Sequence, residues 1–430
     1  MKRIALTCAA ALCILQSVAA QSVVHPKIGE KVSCDSLEIR LVGKKQYFHR
    51  SDTATRDENI ISPKSVNVSP DGNRFYVNSL EGYKTVIFDT HTFRRLGVVE
   101  HSIDHSLDSL WTRSPQFFRF RHSYRDTEVF KGKPVEGTFS HGGRFFWVPY
   151  YRRSFDINAQ DPSAIAVIDT YTMKICRMFE TGVLPKMIRC SPDGKWIAVS
   201  HWGENTVGLI NVEGLDPASW TYRKLIEIEH KLVLNLSTSV PVDRDVNSGF
   251  CLRGTAFTPD SRYLFVGCMG GGGGIAVIDM ASKQYLGRLT GMMSNLRHIL
   301  ISGDSMYCSI NGAGYVLKAP MSGILEAVSQ LKGPGSTVPY REWTSCKVGS
   351  GARTIEMSVD GRYIFVACNY SSQLWVVDAR TMKAVTKIAV DSFPVGLDVS
   401  LDGKNVFVTS QARPHIGGGN AVNIYEVTYK

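Results

Sequence analysis

Basic residues recur at one position of a repeated sequence pattern. Turn phrases built around Asp-Gly or a similar pair occur along most of the chain. The residue seven positions before the turn is basic in five repeats: Lys64, Lys186, Arg253, Arg297 and Arg353. Like charges that converge on one place need an anion or water among them. The pattern predicts an anion-binding site, and pairing of these cations with acids such as Glu136 is the other interpretation.

Loops expected on the same side carry aromatic residues next to arginine. Tyr151 and Arg152 share one loop, Trp202 and Tyr370 lie in two others, and a long insertion holds a mixed run over residues 111–125. Arginine and aromatic rings together can stack on a sugar-like or planar ligand and hold its carboxylate. These loops therefore predict contact area for an acidic saccharide or an acidic protein surface. For each single residue, packing of one loop on another is the alternative.

The same site could carry catalysis instead of binding alone. Glu136, His201 and His298 are the acid–base candidates for a lactonase-like hydrolase, or for a lyase acting on an acidic sugar-type substrate. The basic residues would then stabilise an oxyanion or enolate. The glycine run at 270–274 lacks the Lys-Ser/Thr of a phosphate loop, and no nucleophile signature or metal-binding spacing occurs. The sequence favours a non-catalytic binding protein without metal or cofactor.

The repeat predicts the elements that must position these residues. One unit runs from Arg353 through the turn at Asp360-Gly361 to the run Gln373–Asp378, and reads as short strands joined by tight turns. Related turn phrases centre on Asp71, Asp193, Asp260 and Asp402, with weaker copies at Gly142 and Asp304. Four antiparallel strands repeated seven times predict an all-β fold, a seven-bladed β-propeller over residues 61–430. Insertions are expected near 101–133, 215–250 and 321–348.

A family resemblance rests on these phrases. Pro185-Lys186, Ser191-Pro192-Asp193-Gly194 and Ile197-Ala198-Val199, with Val-Ile-Asp-Thr at 167–170, resemble the WD40-like YVTN family of β-propeller repeats over about residues 60–430. The resemblance implies the fold. It does not choose a function, because proteins of this architecture include surface-layer proteins, lactonases, cofactor-binding domains and interaction modules.

The two ends of the chain predict how the ring closes. The last repeat has candidate strands at 404–410 and 421–427 but no fourth strand before the chain ends. Residues 37–42, within an N-terminal segment at 21–60, alternate between apolar and polar. We expect this strand to complete the last blade and to cover its exposed edge.

The start of the chain predicts export. Lys2 and Arg3 precede an apolar run, and Val18-Ala19-Ala20 fits a signal peptidase site, so residues 1–20 are expected to be a cleaved signal peptide. The mature protein would be a periplasmic, extracellular or cell-surface monomer without a transmembrane segment, and nucleic acid is not an expected partner. The formal charge of +10 is mild for 430 residues. The eight cysteines after residue 20 are expected to be mostly buried thiols, although one or two disulfides remain open.

Overall fold

A computed structural model describes residues 23–47, 53–244, 248–411 and 418–430. The predicted signal segment at residues 1–20 lies outside these ranges. Within them, regular structure is almost entirely β-strand, and the one α-helix is Met321–Ser329. The described ranges contain no helix of sufficient length and hydrophobicity to cross a bilayer.

Six sheets follow one another along the chain and are called blades 1 to 6. Blade 1 contains Pro63–Val68, Arg74–Ser79, Lys84–Asp89 and Arg95–Glu100. Blade 2 contains Thr138–Ser140, Phe145–Arg153, Ser163–Asp169 and Lys174–Thr181, and is extended by Ser102–Ile103, Trp111–Thr112 and Phe130–Pro134. Blade 3 contains Pro185–Cys190, Trp196–His201, Thr206–Asn211 and Thr221–Glu227.

The remaining three of these sheets have the same plan. Blade 4 contains Leu252–Phe257, Tyr263–Cys268, Ile275–Asp279 and Gln284–Thr290, and Thr337–Pro339 adds to its outer edge in parallel. Blade 5 contains Leu296–Ser302, Ser305–Ile310, Tyr315–Pro320 and Thr344–Lys347. Blade 6 contains Ala352–Met357, Tyr363–Cys368, Gln373–Asp378 and Lys383–Ala389.

A further sheet, called the terminal sheet, combines both ends of the described chain. Its strands, in spatial order, are Pro394–Val399, Asn405–Ser410, Ala421–Tyr429, Leu37–Gln46 and Lys31–Ser33. The strand Leu37–Gln46 pairs antiparallel with Ala421–Tyr429, from Leu37 opposite Tyr429 to Gln46 opposite Ala421.

The fold class expected from the repeat is confirmed as an all-β propeller of antiparallel four-stranded blades. Blades 1 to 6 take their four core strands in order along the chain. A seven-bladed ring closed by the N-terminal strand is a finer statement and stays a prediction.

The repeated turn phrase has a local physical cause. In blade 3, the Ser191 hydroxyl donates to Asp193 Oδ1 at 2.5 Å and accepts from the Trp196 amide at 3.0 Å. Gly194 follows with a φ of +73°, a conformation that glycine adopts without steric cost. The side chains thus close the hairpin between the first two strands.

The apolar core lies between neighbouring sheets. One buried cluster joins Phe75 and Phe88 of blade 1 to Phe407 and Ile424 of the terminal sheet. Another joins blade 6 to the terminal sheet and includes Leu37, Ile39 and Leu41, each 0% exposed. The first strand of each blade is innermost, because first strands of neighbouring blades contact each other around the centre.

Candidate functional site

The inner strands of blades 1, 3, 4, 5 and 6 begin in the same backbone conformation. The residue just before the strand has a left-handed φ between +50° and +80°; these residues are Ser62, Leu184, Cys251, Asn295 and Gly351. The pairing register with the second strand then shifts within the next few residues, which is a β-bulge. Bulges redirect side chains, and left-handed backbone at residues other than glycine costs about 1–2 kcal/mol. The strand Pro394–Val399 of the terminal sheet begins in the same way after Phe393, so this conformation belongs to the repeat and sets the direction of the side chains that follow it.

Each of the five predicted cations is the second residue of its inner strand. We call Lys64, Lys186, Arg253, Arg297 and Arg353 the cation ring. All five are buried, from 2% exposed at Arg253 to 9% at Arg297. The repeat register thus brings together residues that are far apart in sequence.

Two cavities meet at the cation ring. The mouth cavity has a volume of about 510 Å³, and its walls include Lys64, Lys186 and Arg152. The channel cavity has a volume of about 350 Å³, and its walls include Arg253 and Glu136. Arg297 and Arg353 line both cavities, so the ring forms the boundary between them.

The cations are close enough to perturb one another. Burial, and then the charges of Arg353, Arg253 and Lys186, hold the pKa of Lys64 well below its ordinary value of 10.5. The Glu136 carboxylate acts in the opposite direction. Positive charge is therefore in excess at this position.

Arg253 has unused hydrogen-bonding capacity beside the channel. Its Nη2 donates to Glu136 Oε1 at 2.9 Å. Its Nη1 is buried without a hydrogen-bond partner in the described chain. A buried donor without a partner costs free energy, and a ligand oxygen or water in the cavity would satisfy it.

Two aromatic side chains lie against Lys186 of the cation ring. Lys186 Nζ lies 4.5 Å from the ring centroid of Tyr151 and 4.7 Å from that of Trp202. Tyr151 lines the mouth cavity, whereas Trp202 is 2% exposed and packs with Leu184 beneath it. Tyr151 thus forms part of the mouth wall, whereas the buried Trp202 packs against Lys186 and Arg297.

Two other predicted contacts have different positions. Arg152 is in the wall of the mouth cavity, and its Nη1 donates to the carbonyl oxygen of Ile157. Tyr370 is 40% exposed and lies outside the wall residues of both cavities.

The acid–base candidates are dispersed. His201 is 0% exposed, and its ring nitrogens contact the Thr181 and Thr206 hydroxyls at 2.8 Å, away from both cavities. His298 lines the channel cavity, and its Nδ1 accepts from the Ile355 amide at 3.3 Å. Burial lowers the pKa of each histidine to about 3, so both are neutral at physiological pH. Glu136 contacts the cation ring through its ion pair with Arg253.

A second layer of channel side chains lies three residues further along the inner strands. We call it the second ring, and it consists of Asn67, Arg189, Ala256, Leu300, Glu356 and Asp398. An undistorted strand directs residues two apart to the same side. The bulge inserts one residue, so positions three apart both face the channel. Glu356, three residues after Arg353, and Asp398, three residues after Val395, were missed by the sequence reasoning because the local sequence does not mark the bulge.

An insertion covers part of the mouth cavity. Pro241, Val242 and Arg244 line it. Arg244 Nη1 donates to the carbonyl of Asn158 at 2.6 Å, and the Arg244 carbonyl accepts from Trp202 Nε1 at 3.0 Å. This segment forms one wall of the mouth cavity.

Cysteines and metal ligands have no special arrangement in the described chain. The eight cysteines after residue 20 form no disulfide there, and most are buried. No group of three or more His, Cys, Asp or Glu residues is placed to hold a metal ion within the described ranges.

Comparisons with known proteins support the fold alone. No family model matches the sequence, and no curated protein matches it. The hydrazine synthase of Kuenenia stuttgartiensis is similar in structure, with a TM-score of 0.58 and 14% identity, over 86% of this chain and 100% of that one. The β-propeller domain of Cps50 (Swd1) from Myceliophteria thermophila also gives 0.58, at 10% identity over 86% and 97% of the two chains. Sequence identities this low do not indicate a function, so function has to be argued from the residues of the site.

Proposed function

We propose that this protein is an exported β-propeller that binds an anionic small molecule, without catalysis, in the mouth cavity. The observation that carries the proposal is the cation ring, in which five buried basic side chains sit at equivalent positions of five blades. Glu136 pairs with Arg253 of this ring. The basic groups also lower the pKa of Lys64 together, which supports a site that attracts an anion.

The shape of the mouth favours a small ligand. A volume of about 510 Å³ is within the range of small-molecule sites. Tyr151 offers a ring face beside Lys186, which suits a sugar ring next to a carboxylate. A carboxylate-bearing saccharide therefore fits better than an extended acidic protein surface.

The experiment compares a charged sugar with its neutral counterpart. Isothermal titration with D-glucuronate, D-galacturonate and D-glucose is carried out at low and at high sodium chloride. We expect the two uronates to bind and glucose not to bind, and we expect affinity to fall with salt because charge attraction is screened. Equal binding of glucose and glucuronate would contradict the proposal.

Variants locate the binding. Arg297→Gln/Arg353→Gln removes two charges from the wall that the cavities share, and should weaken uronate binding at least about tenfold, the equivalent of one charge-assisted hydrogen bond. The control, Arg223→Gln/Lys224→Gln, removes the same charge from exposed positions on the outer strand of blade 3. Equal affinity of both double variants would remove the cation ring from the site.

A hydrolase or lyase in the same cavity is the second candidate. One observation favours it: the imidazole of His298 lines the same channel cavity as Arg253, Arg297 and Arg353. Its pKa of about 3 makes it a weak base at neutral pH, which places this candidate second. Proton NMR of lactones and oligouronates incubated with the protein tests it, and unchanged spectra would exclude turnover of those substrates.

We also infer a seven-bladed ring closed by the strand Leu37–Gln46. Its pairing with Ala421–Tyr429, and the packing of the terminal sheet on both blade 1 and blade 6, support this inference. Membership in the YVTN family rests on the repeat phrases, and export rests on the pattern at residues 1–20. Mass spectrometry of the mature N-terminus tests export, with Gln21 as the expected first residue.

A further inference from the structure

The channel cavity presents opposite charges at its two levels. Arg253, Arg297 and Arg353 lie in its wall at the cation ring, and Glu356 and Asp398 lie in the same wall at the second ring. The carboxyl pair comes from adjacent inner strands, those of blade 6 and of the terminal sheet. One cavity of about 350 Å³ thus joins an anion-attracting end to an acceptor-rich end.

The two carboxyl groups are held firmly in place by the backbone. Asp398 Oδ2 accepts from the Val68 amide at 2.6 Å, and Oδ1 accepts from the Val399 amide at 2.8 Å. Glu356 Oε1 accepts from the Met357 amide at 3.1 Å. Each oxygen has a second acceptor site, so the pair can still receive hydrogen bonds from the cavity.

Arg189 is the cation of the second ring, and it does not neutralise the pair by contact. Its Nη2 lies 3.3 Å from His298 Nε2, and no ion pair joins it to Glu356 or Asp398 among those of the described chain. Burial and mutual repulsion raise the pKa of Asp398 to about 7, which indicates incomplete compensation. A donor arriving from the cavity would stabilise the ionised pair.

The separation of the two rings sets the length of the ligand. Three residues of strand span roughly 7–10 Å, less where the bulge shortens the rise. Arg253, whose side chain is 2% exposed and whose Nη1 has no partner in the described chain, marks the upper end of this span.

We propose that the ligand of this channel is bipolar: a carboxylate binds at the cation ring, and a hydrogen-bond donor, hydroxyl or ammonium, binds between Glu356 and Asp398. This inference rests on the proposed anion site and adds the chemistry of the ligand's other end. A simple anion would occupy only the upper level, whereas a hydroxylated or amino acid of matching length would use both.

Three probes of one length separate these cases. Hexanoate carries a carboxylate alone, 6-hydroxyhexanoate adds a hydroxyl donor, and 6-aminohexanoate adds an ammonium donor. Titration calorimetry at about pH 8, above the Asp398 pKa of about 7, measures all three against the full-length mature protein. We expect 6-hydroxyhexanoate to bind a few-fold more tightly than hexanoate, and 6-aminohexanoate about tenfold more tightly. The ratio of the two gains tells which donor the site prefers.

Two variants with opposite expected effects assign the preference to the second ring. Glu356→Gln keeps an acceptor for the Met357 amide and should remove most of the ammonium preference, with hexanoate affinity little changed. Arg189→Gln removes a competing cation and should increase the preference. Glu426→Gln, the same change as the first at an exposed site of the terminal sheet, is the control.

The possible results distinguish the two proposals. Equal affinity of the three probes, or an ammonium preference that survives Glu356→Gln, would overturn the bipolar ligand and leave the anion site standing. No measurable binding of any probe would count against the anion site, and therefore against both. Should Glu356→Gln fail to fold, the sign of the Arg189→Gln effect decides by itself: an unchanged or weaker preference overturns the inference.

Discussion

Arg253 Nη2 lies 2.9 Å from Glu136 Oε1, and this ion pair places a carboxylate among five buried cations. Glu136 comes from the segment between Phe130–Pro134 and the inner strand of blade 2, where the repeat has Val135 in place of a cation. The blade that lacks a cation at this position therefore supplies a counter-charge to Arg253.

Replacing Glu136 by Gln should make the free protein depend on anions. Removal of one partner from a buried pair typically costs about 3–5 kcal/mol, and the free energy of unfolding should fall toward that range. The substitution leaves Arg253 with an uncompensated positive charge. Binding of inorganic phosphate should therefore restore much of the lost melting temperature. Thermal unfolding with and without phosphate measures both effects.

The matched control is Glu38→Gln, which breaks a surface pair with Lys31 at 3.2 Å. We expect a change of less than about 1 kcal/mol and no specific response to phosphate. If Glu136→Gln behaved like this control, the Glu136 carboxylate would not be what stabilises the cation ring.

Anion binding should draw a proton onto Lys64. The pKa of Lys64 is depressed by burial and then by Arg353, Arg253 and Lys186, and an anion in the cavity would raise it. Between the free and the bound pKa, binding therefore takes up protons. Titration of D-glucuronate at several pH values between about 8 and 10, in buffers of different ionisation enthalpy, measures the uptake, since the Asp398 pKa of about 7 lies below this range.

Lys64→Met should abolish most of this uptake while some affinity remains. Lys224→Met, at an exposed position, should leave the uptake as it is in the natural protein. An uptake that persists in Lys64→Met would mean that another group carries the proton.

The Glu356 and Asp398 pair should make stability fall as pH rises. The folded pKa of Asp398 is about 7, above the ordinary value of 3.8, because of burial and then Glu356. The folded protein holds a proton that the unfolded chain has released between about pH 4 and 7, so this contribution is present at low pH and lost across that window.

Glu356→Gln should reduce the fall of stability with rising pH, because it removes the charge that repels the Asp398 carboxylate. At about pH 8 we expect the variant to be roughly 1–2 kcal/mol more stable than the natural protein, less than the full pKa difference implies because water in the channel screens the pair. At about pH 4.5 the gain should nearly vanish. Urea unfolding at both pH values measures it, and a gain independent of pH would contradict this origin.

The sequence predicted the cation ring because its physical cause is a repeat register. Turn residues such as Asp193-Gly194 mark a fixed point in each blade, and counting back from them reaches Lys186 without knowledge of the fold's details. The all-β propeller follows from the same phrases.

The second ring was not predictable in the same way, because it depends on a bulge. Regular alternation would direct Ile188, not Arg189, to the side of Lys186, and nothing in the local sequence marks the extra residue. His201 illustrates a different difficulty: only the structure reveals that hydroxyls of Thr181 and Thr206 enclose it.

The strained strand start can be tested at Gly351. Its φ is +80°, and a Cβ there would lie 2.0 Å from Asn369 Oδ1 and 2.7 Å from the Tyr370 amide nitrogen. Gly351→Ala should therefore cost about 2–4 kcal/mol and displace Arg353, which weakens uronate binding. Gly361→Ala has a similar φ of +70° but open space around its Cβ, so it should cost only about 1 kcal/mol and leave binding unchanged. Denaturant unfolding and titration of both variants separate backbone strain from steric exclusion, and equal losses would show that the packing behind Gly351 is unimportant.

The proposed ring closure predicts that the N-terminal strand is essential to the whole propeller. Leu37, Ile39 and Leu41 are 0% exposed against blade 6 and the terminal sheet, and Lys44 Nζ lies 2.8 Å from the buried Asp391. Deletion of residues 21–50 would expose the edge of Ala421–Tyr429 and this apolar surface together. We expect the truncated protein to lose its cooperative unfolding transition, and a synthetic peptide of residues 31–47 added in trans to restore it in part. A peptide with Leu37, Ile39 and Leu41 replaced by serine is the control and should not restore it. If the truncated protein melted like the full-length one, the strand would be an accessory to the terminal sheet, and the ring would be held by the remaining blades alone.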